Sequence, residues 1–401
     1  IPVGSFGPIT ASYGWIPPVP GYGSGAPQGI TYFSGGGGGS SYSTGNASGG
    51  GGAGGGGNGG SRPGNLDSFA GEANTGGGAG GTAGGGTPNQ TDPKPGGSGI
   101  VMVRYEVTDT TNFSWGGSRG VFGPGAVSGL GDVNTIDYVT ISTTGNATDF
   151  GDGTEARSWI GAASNKTRGI FAGGYQYNDR IDYITIATVG NATDFGNLTV
   201  GRFGVTGCSG NGRGIMAGGG SSGQNVIDYV TIATAGDATD FGDLLTNEHM
   251  MGGCNNATRG VFGGGDGPTN VIQYITLASA GNATDFGDLV QTRDMLCAAS
   301  NFDRGVFCGG RGSSGDGDNE NEIDWIVIAT TGNATDFGNL TVARGETPGA
   351  SCDNTRVVVG GGWTGSNSNV IDYFVIAAQS NATDFGDLTQ ARKILAGCSG
   401  E

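Results

Sequence analysis

Histidine is nearly missing from this 401-residue chain: His249 is the single copy, and charged residues make up only 13% of the sequence. One imidazole excludes a multi-His metal site and leaves a His-based catalytic triad without support. No run of eighteen apolar residues occurs, so nothing is expected to cross a membrane as a helix. Basic residues are scarce, 18 against 35 acidic ones, and the net charge of −17 speaks against nucleic acid as a partner. The six cysteines include no Cys-x-x-Cys spacing that would suggest zinc. Proline numbers only 13, and glycine follows no three-residue period, which excludes a collagen-like chain. The chain opens Ile1-Pro2-Val3 without the basic and apolar regions of a signal peptide, and we expect it to be processed or partial.

What is abundant is glycine, 90 residues of the 401. Interior glycine costs about 0.8–1 kcal/mol relative to alanine in a helix, so helix is disfavoured. The glycines divide the chain into regimes. Residues 1–30 mix Gly and Pro with aromatics such as Tyr13, Trp15 and Tyr22. Residues 31–107 hold most of the long glycine runs and form a glycine-rich domain, ending in a strand-like segment, Ile100-Val101-Met102-Val103-Arg104-Tyr105. Two readings stand for this domain: a flexible linker, or a bundle of extended glycine segments bonded backbone to backbone.

Residues 108–401 are a repeat. Thr-Asp-Phe-Gly occurs six times, with its Phe at 150, 195, 241, 286, 337 and 385, at intervals of 45, 46, 45, 51 and 48 residues. Ahead of each lies Ile-Asp-Tyr or a variant, from Ile136-Asp137-Tyr138 to Ile371-Asp372-Tyr373. Ahead of that lies an Arg-led apolar run closing on glycine, led by Arg119, Arg168, Arg213, Arg259, Arg304 and Arg356. Each unit supplies four short strands. In the third these are 204–209, 213–217, 226–231 and 240–244. Four strands per period of this length predict an all-β fold, a six-bladed β-propeller. The chain enters at a second strand (118–123) and ends on a lone first strand (393–399). That strand is expected to complete the first blade and close the ring.

The Gly-Gly pair after the second strand, the aromatics of strands three and four, and the Arg before the next first strand resemble a kelch-type repeat over residues 118–400. The pattern departs from kelch in carrying Phe after Asp where Trp is common. The Asn-Ala-Thr-Asp-Phe-Gly variant resembles repeats in tail-fibre and other structural proteins of tailed bacteriophages. The segment Gly-Ser-Gly-Ile-Val-Met-Val-Arg-Tyr resembles the end of glycine-rich domains of phage tail adhesins, which implies polyglycine-II packing for the first region.

Comparison among the six copies separates scaffold from candidate site. The Asn of the turn (146, 191, 282, 333 and 381, with Asp237 once) reads as a turn former, although Asn-x-Thr is also a glycosylation sequon. The turn's Asp (149, 194, 240, 285, 336, 384) reads as scaffold, with a cation-binding ring as the alternative. An Arg recurs before strand one: Arg157, Arg202, Arg293, Arg344 and Arg392, with Glu248 in its place once. The kelch resemblance implies an inter-blade salt bridge for these. Their place near the axis also suits a ligand's carboxylate or sulfate. Cys208, Cys254 and Cys398 fall where every repeat has a small residue, Cys297 and Cys352 lie two residues either side of that position, and we expect six free thiols.

The loops joining strands two and three vary most: 124–135, 175–180, 221–225, 266–270, 311–322 and 363–369. Tyr175, Tyr177, Arg180 and Trp363 stand there among small polar residues and fit a sugar-stacking site, or else cover the blade rim. Asp316, Asp318, Glu320 and Glu322 alternate in the fifth loop and weakly suggest calcium, without the full EF-hand spacing. No cofactor is expected. The phage resemblance implies a non-enzymatic virion protein on the particle's exterior, a tail-fibre or tail-tip component. Its partners would be other tail proteins and a host-surface glycan, with homo-oligomers possible and no membrane insertion. The alternatives are a purely structural capsid-decoration or fibre subunit, and a sialidase-like glycosidase. The Ser-x-Asp-x-Gly-x-Thr-Trp boxes of sialidases are absent, as are the His ligands of kelch-type copper oxidases.

Overall fold

Every repeat folds into one antiparallel four-stranded sheet, because its apolar runs are short, β-branched and separated by Gly and Asn turns. The computed structural model describes residues 117–220, 224–312 and 317–401. The chain divides into two units, Ile1–Glu106 and Val107–Glu401. The 1–30 segment, the glycine-rich region with its polyglycine reading, and Asp316 lie outside the described residues.

Among the described residues six such sheets form a six-bladed propeller. The second blade is representative, with strands Gly161–Ser164, Arg168–Ala172, Arg180–Thr185 and Thr193–Asn197 running from the axis outward. The C-terminal strand Gly397–Gly400 pairs with Arg119–Phe122 in the first blade, so the two ends of the propeller share one sheet, as expected. In the third and fourth blades the outermost strand runs to ten residues, Thr239–Glu248 and Thr284–Arg293, longer than the motif suggested. The first loop adds a hairpin, Gly125–Val127 with Gly131–Val133, that the repeat pattern did not reveal.

The core lies between blades. Val121, Ile136 and Phe150 of the first blade pack with Ile160, Phe171 and Ile184 around the second. Second strands are covered on both faces, which explains their continuous apolar runs, whereas the Thr-Asp-Phe-Gly stretch of each outermost strand buries only its Phe.

Three repeated devices join neighbouring blades. The first is the Asn turn. Asn191 Oδ1 accepts from Asp152 N at 3.1 Å, and Gly190 N and Ala192 N donate to Phe150 O and Asp152 O. Asp237, the one substitute, accepts from Asn197 N in the same way. Gly151 permits this approach, since a Cβ there would lie 2.6 Å from the Gly190 carbonyl.

The second device is the Arg that leads each second strand. Arg168 sits over the Tyr183 ring at 4.7 Å and donates to Ala233 O of the next blade at 2.8 Å. The third is small-residue packing near the axis. The Cys208 sulfur lies against Gly260 and the Cys254 sulfur against Gly305. All six thiols are free and buried, and burial pushes Cys352 and Cys398 up to about 12.

Candidate functional site

The loops joining strands two to three and strands four to one emerge together around the axis, and their backbones repeat even where their side chains do not. Two residues past each Arg or Glu248 position stands a left-handed residue: Trp159, Gly204, Met250, Met295, Glu346 and Ile394, with φ between 52° and 67°. A bulky non-glycine residue in this region is strained, at roughly 1–3 kcal/mol each. The strain is offset by a closed ring of backbone hydrogen bonds around the axis. Gly204 N donates to Trp159 O, Met250 N to Gly204 O and Met295 N to Met250 O, each at 2.9 Å. Thr347 N to Met295 O, Ile394 N to Glu346 O and Trp159 N to Ile394 O complete it.

Just outside this ring, each blade pairs one loop residue with one linker residue through backbone bonds. The pairs are Tyr175 with Ser158, Gly220 with Phe203, Asp266 with His249, Arg311 with Asp294, Trp363 with Gly345, and Ala126 with Lys393. The backbone is six-fold, yet the side chains it presents are aromatic, acidic, basic or absent in turn. A uniform scaffold holding non-uniform side chains on one face is what makes that face the candidate site.

The five arginines lie beneath the face. Arg157, Arg202, Arg293, Arg344 and Arg392 are at most 2% exposed. Each is ion-paired to the third-strand Asp of the following blade: to Asp182 at 2.6 Å, Asp228 at 2.9 Å, Asp324 at 2.8 Å, Asp372 at 2.8 Å and Asp137 at 2.7 Å respectively. Asp182 also accepts from Thr154 N and Oγ1, so one carboxylate ties the segment leaving one blade to the next. Reaching a ligand would break a buried charge pair, so these arginines position the loops and do not themselves face a carboxylate or sulfate.

The junction of the third and fourth blades lacks both partners of the pair. Glu248 takes the Arg position, and Gln273 takes the Asp position and accepts from Leu245 N at 2.8 Å. Around this break gathers the face's titratable group. His249 is 4% exposed, and its Nδ1 lies 3.8 Å from Asp266 Oδ2. Burial lowers the imidazole below its usual value and raises the Glu248 and Asp294 carboxyls. Asp294 is held by Arg311 through two bonds, 3.1 and 2.9 Å.

Next to it stands an aromatic group centred on Phe203. Tyr177, Tyr175, His249 and Trp159 all meet its ring edge-to-face, at centroid distances of 5.5, 6.1, 6.2 and 6.3 Å. Tyr175 and Tyr177 are about half exposed, and Gln176 and Tyr177 both take positive φ, which projects the turn. Arg180 borders this group and bridges to Glu155 at 3.5 Å and Asp194 at 3.9 Å.

Trp363 lies apart from these rings, on the sixth blade, with the Lys393 ammonium 4.3 Å above it. Lys393 also pairs with Glu346. Asp318 and Glu320 direct carboxylates toward Gly312, and no group of three candidate ligands for a metal ion occurs among the described residues.

The aromatic and titratable groups are thus adjacent, joined by Phe203 and His249, neither of which was a candidate from loop variability. Both sit in the short linkers before strand one, where only the break in the Arg series at Glu248 offered a signal.

Residues 7–106 match the family described as "Glycine-rich domain". No curated protein matches the chain.

Proposed function

We propose that this chain is a non-enzymatic structural protein of a tailed bacteriophage, a tail-fibre or tail-tip component. In this reading its kelch-type propeller displays the variable face to a host-surface glycan, and the glycine-rich domain is its mount. The observation that carries the reading is the contrast between the constant inter-blade devices and the unlike side chains gathered on one face, including the exposed Tyr175 and Tyr177. The Asn-Ala-Thr-Asp-Phe-Gly repeat, similar to those of phage fibre proteins, supports the setting.

A purely structural role draws support from Leu130, which is 73% exposed at the tip of the extra hairpin on this same face and would be covered by another subunit. Host-cell adsorption with Tyr177→Ala and Trp363→Ala separates the two. Receptor display predicts weaker adsorption by at least one variant, and unchanged adsorption by both overturns it.

A further inference from the structure

The titratable group beside Phe203 keeps two buried polar atoms without partners. His249 Nδ1 and Glu248 Oε2 are both buried without a hydrogen-bond partner. Glu248 Oε1 is taken by Thr246 Oγ1 at 3.1 Å, which leaves Oε2 as the unused oxygen. Oε2 lies where a side chain at Gly265 would stand, so only glycine is accommodated there, immediately before Asp266. Asp266 adds a half-exposed carboxylate 3.8 Å from the imidazole. The Arg311 guanidinium is directed at Asp294. Buried polar atoms left unpaired cost about 1–3 kcal/mol each. Burial lowers the His249 imidazole, and a neutral imidazole offers one donor and one acceptor nitrogen.

These acceptors adjoin rings with an exposed edge. Phe203 lies between the two groups, its centroid 6.2 Å from His249 and 5.5 Å from Tyr177. Tyr177 is held outward by the left-handed turn at Gln176–Tyr177, whose backbone rests against Gly201. A ligand covering both groups needs a flat apolar face for the tyrosines and several hydroxyl donors for the acceptors. It must carry no anionic group, because Glu248 and Asp266 would repel one and the nearby arginines are already paired.

Resting on the display reading above, we infer that blades two to four hold a site for an uncharged sugar. Its ring stacks on Tyr175 and Tyr177, and its hydroxyls bond His249 Nδ1 and donate to the Glu248 and Asp266 carboxylates.

The test is an array of neutral, amino-bearing and sialylated or uronic-acid glycans, probed with the full chain and with Asp266→Asn, His249→Gln and Tyr177→Ala. Neutral glycans should be captured. Each variant should lose about ten- to a hundredfold in affinity, the loss expected from one unsatisfied bond or a lost ring contact, with melting temperatures of Asp266→Asn and Tyr177→Ala close to the parent. Capture of amino-bearing or acidic glycans alone, or neutral capture indifferent to Asp266→Asn and Tyr177→Ala, overturns the assignment and leaves the display reading standing. Capture of no glycan overturns both.

Discussion

At the scale of single residues, the fourth blade is the informative exception. Five blades bury an Arg–Asp pair, and removing one partner of such a pair costs about 3–5 kcal/mol. Here Arg and Asp are replaced together, by Glu248 and Gln273, and no unpaired guanidinium is left buried. Restoring both partners, Glu248→Arg with Gln273→Asp, should therefore recover stability that either change alone loses. A double-mutant cycle by urea unfolding should show favourable coupling of about 0.5–3 kcal/mol, and simple additivity would refute the pairing.

Glu248 also predicts a pH effect. Burial raises its carboxyl, so its contribution to stability is full below the unfolded value and declines as pH rises through the folded one. Above that folded value the protein holds a desolvated charge. Glu248→Gln should then raise the melting temperature at pH 7, with the gain shrinking toward pH 4. A gain independent of pH would assign the effect to packing instead.

At the scale of elements, the blade contacts explain why so much of the fold could be read from the chain. The Asn turn, the Phe of strand four and the Arg of strand two each recur six times or nearly so, because each meets an equivalent neighbour across an inter-blade contact. Periodicity in sequence is the image of that equivalence. What was not legible had no repeat to announce it: the hairpin at 125–133, the tenth residue of the long outer strands, and Phe203 between His249 and Tyr177. Tertiary placement alone makes Phe203 the bridge, since its linker carries no distinctive motif.

Packing at the axis is equally particular. Cys254 fills the space that a Cβ on Gly305 would need, at 2.5 Å from its sulfur. Gly305→Ala should destabilise by about 1–3 kcal/mol through overpacking, and Cys254→Ala in the same chain should relieve part of that loss. Equal destabilisation with and without Cys254 would show that the glycine serves some other purpose.

At the scale of the whole molecule, closure by the C-terminal strand gives a rigid ring with two unlike faces. The face of the 3–4 turns repeats the Asn motif five times with Asp237 in the remaining copy, while the other carries the aromatic and acidic groups. The six native thiols are buried, so an introduced surface cysteine becomes the one site open to a thiol reagent in the folded protein. Leu130→Cys places it on the variable face without removing a residue of the tyrosine group, and Val189→Cys places it on a 3–4 turn; the two native residues are 73% and 55% exposed. Coupling a bulky polyethylene-glycol maleimide to each, followed by host-cell adsorption, measures directly which face engages the host. Loss of adsorption on labelling at 130 with retention on labelling at 189 is the predicted result. Loss at 189 alone, or no loss at either position, would contradict a receptor site on the variable face.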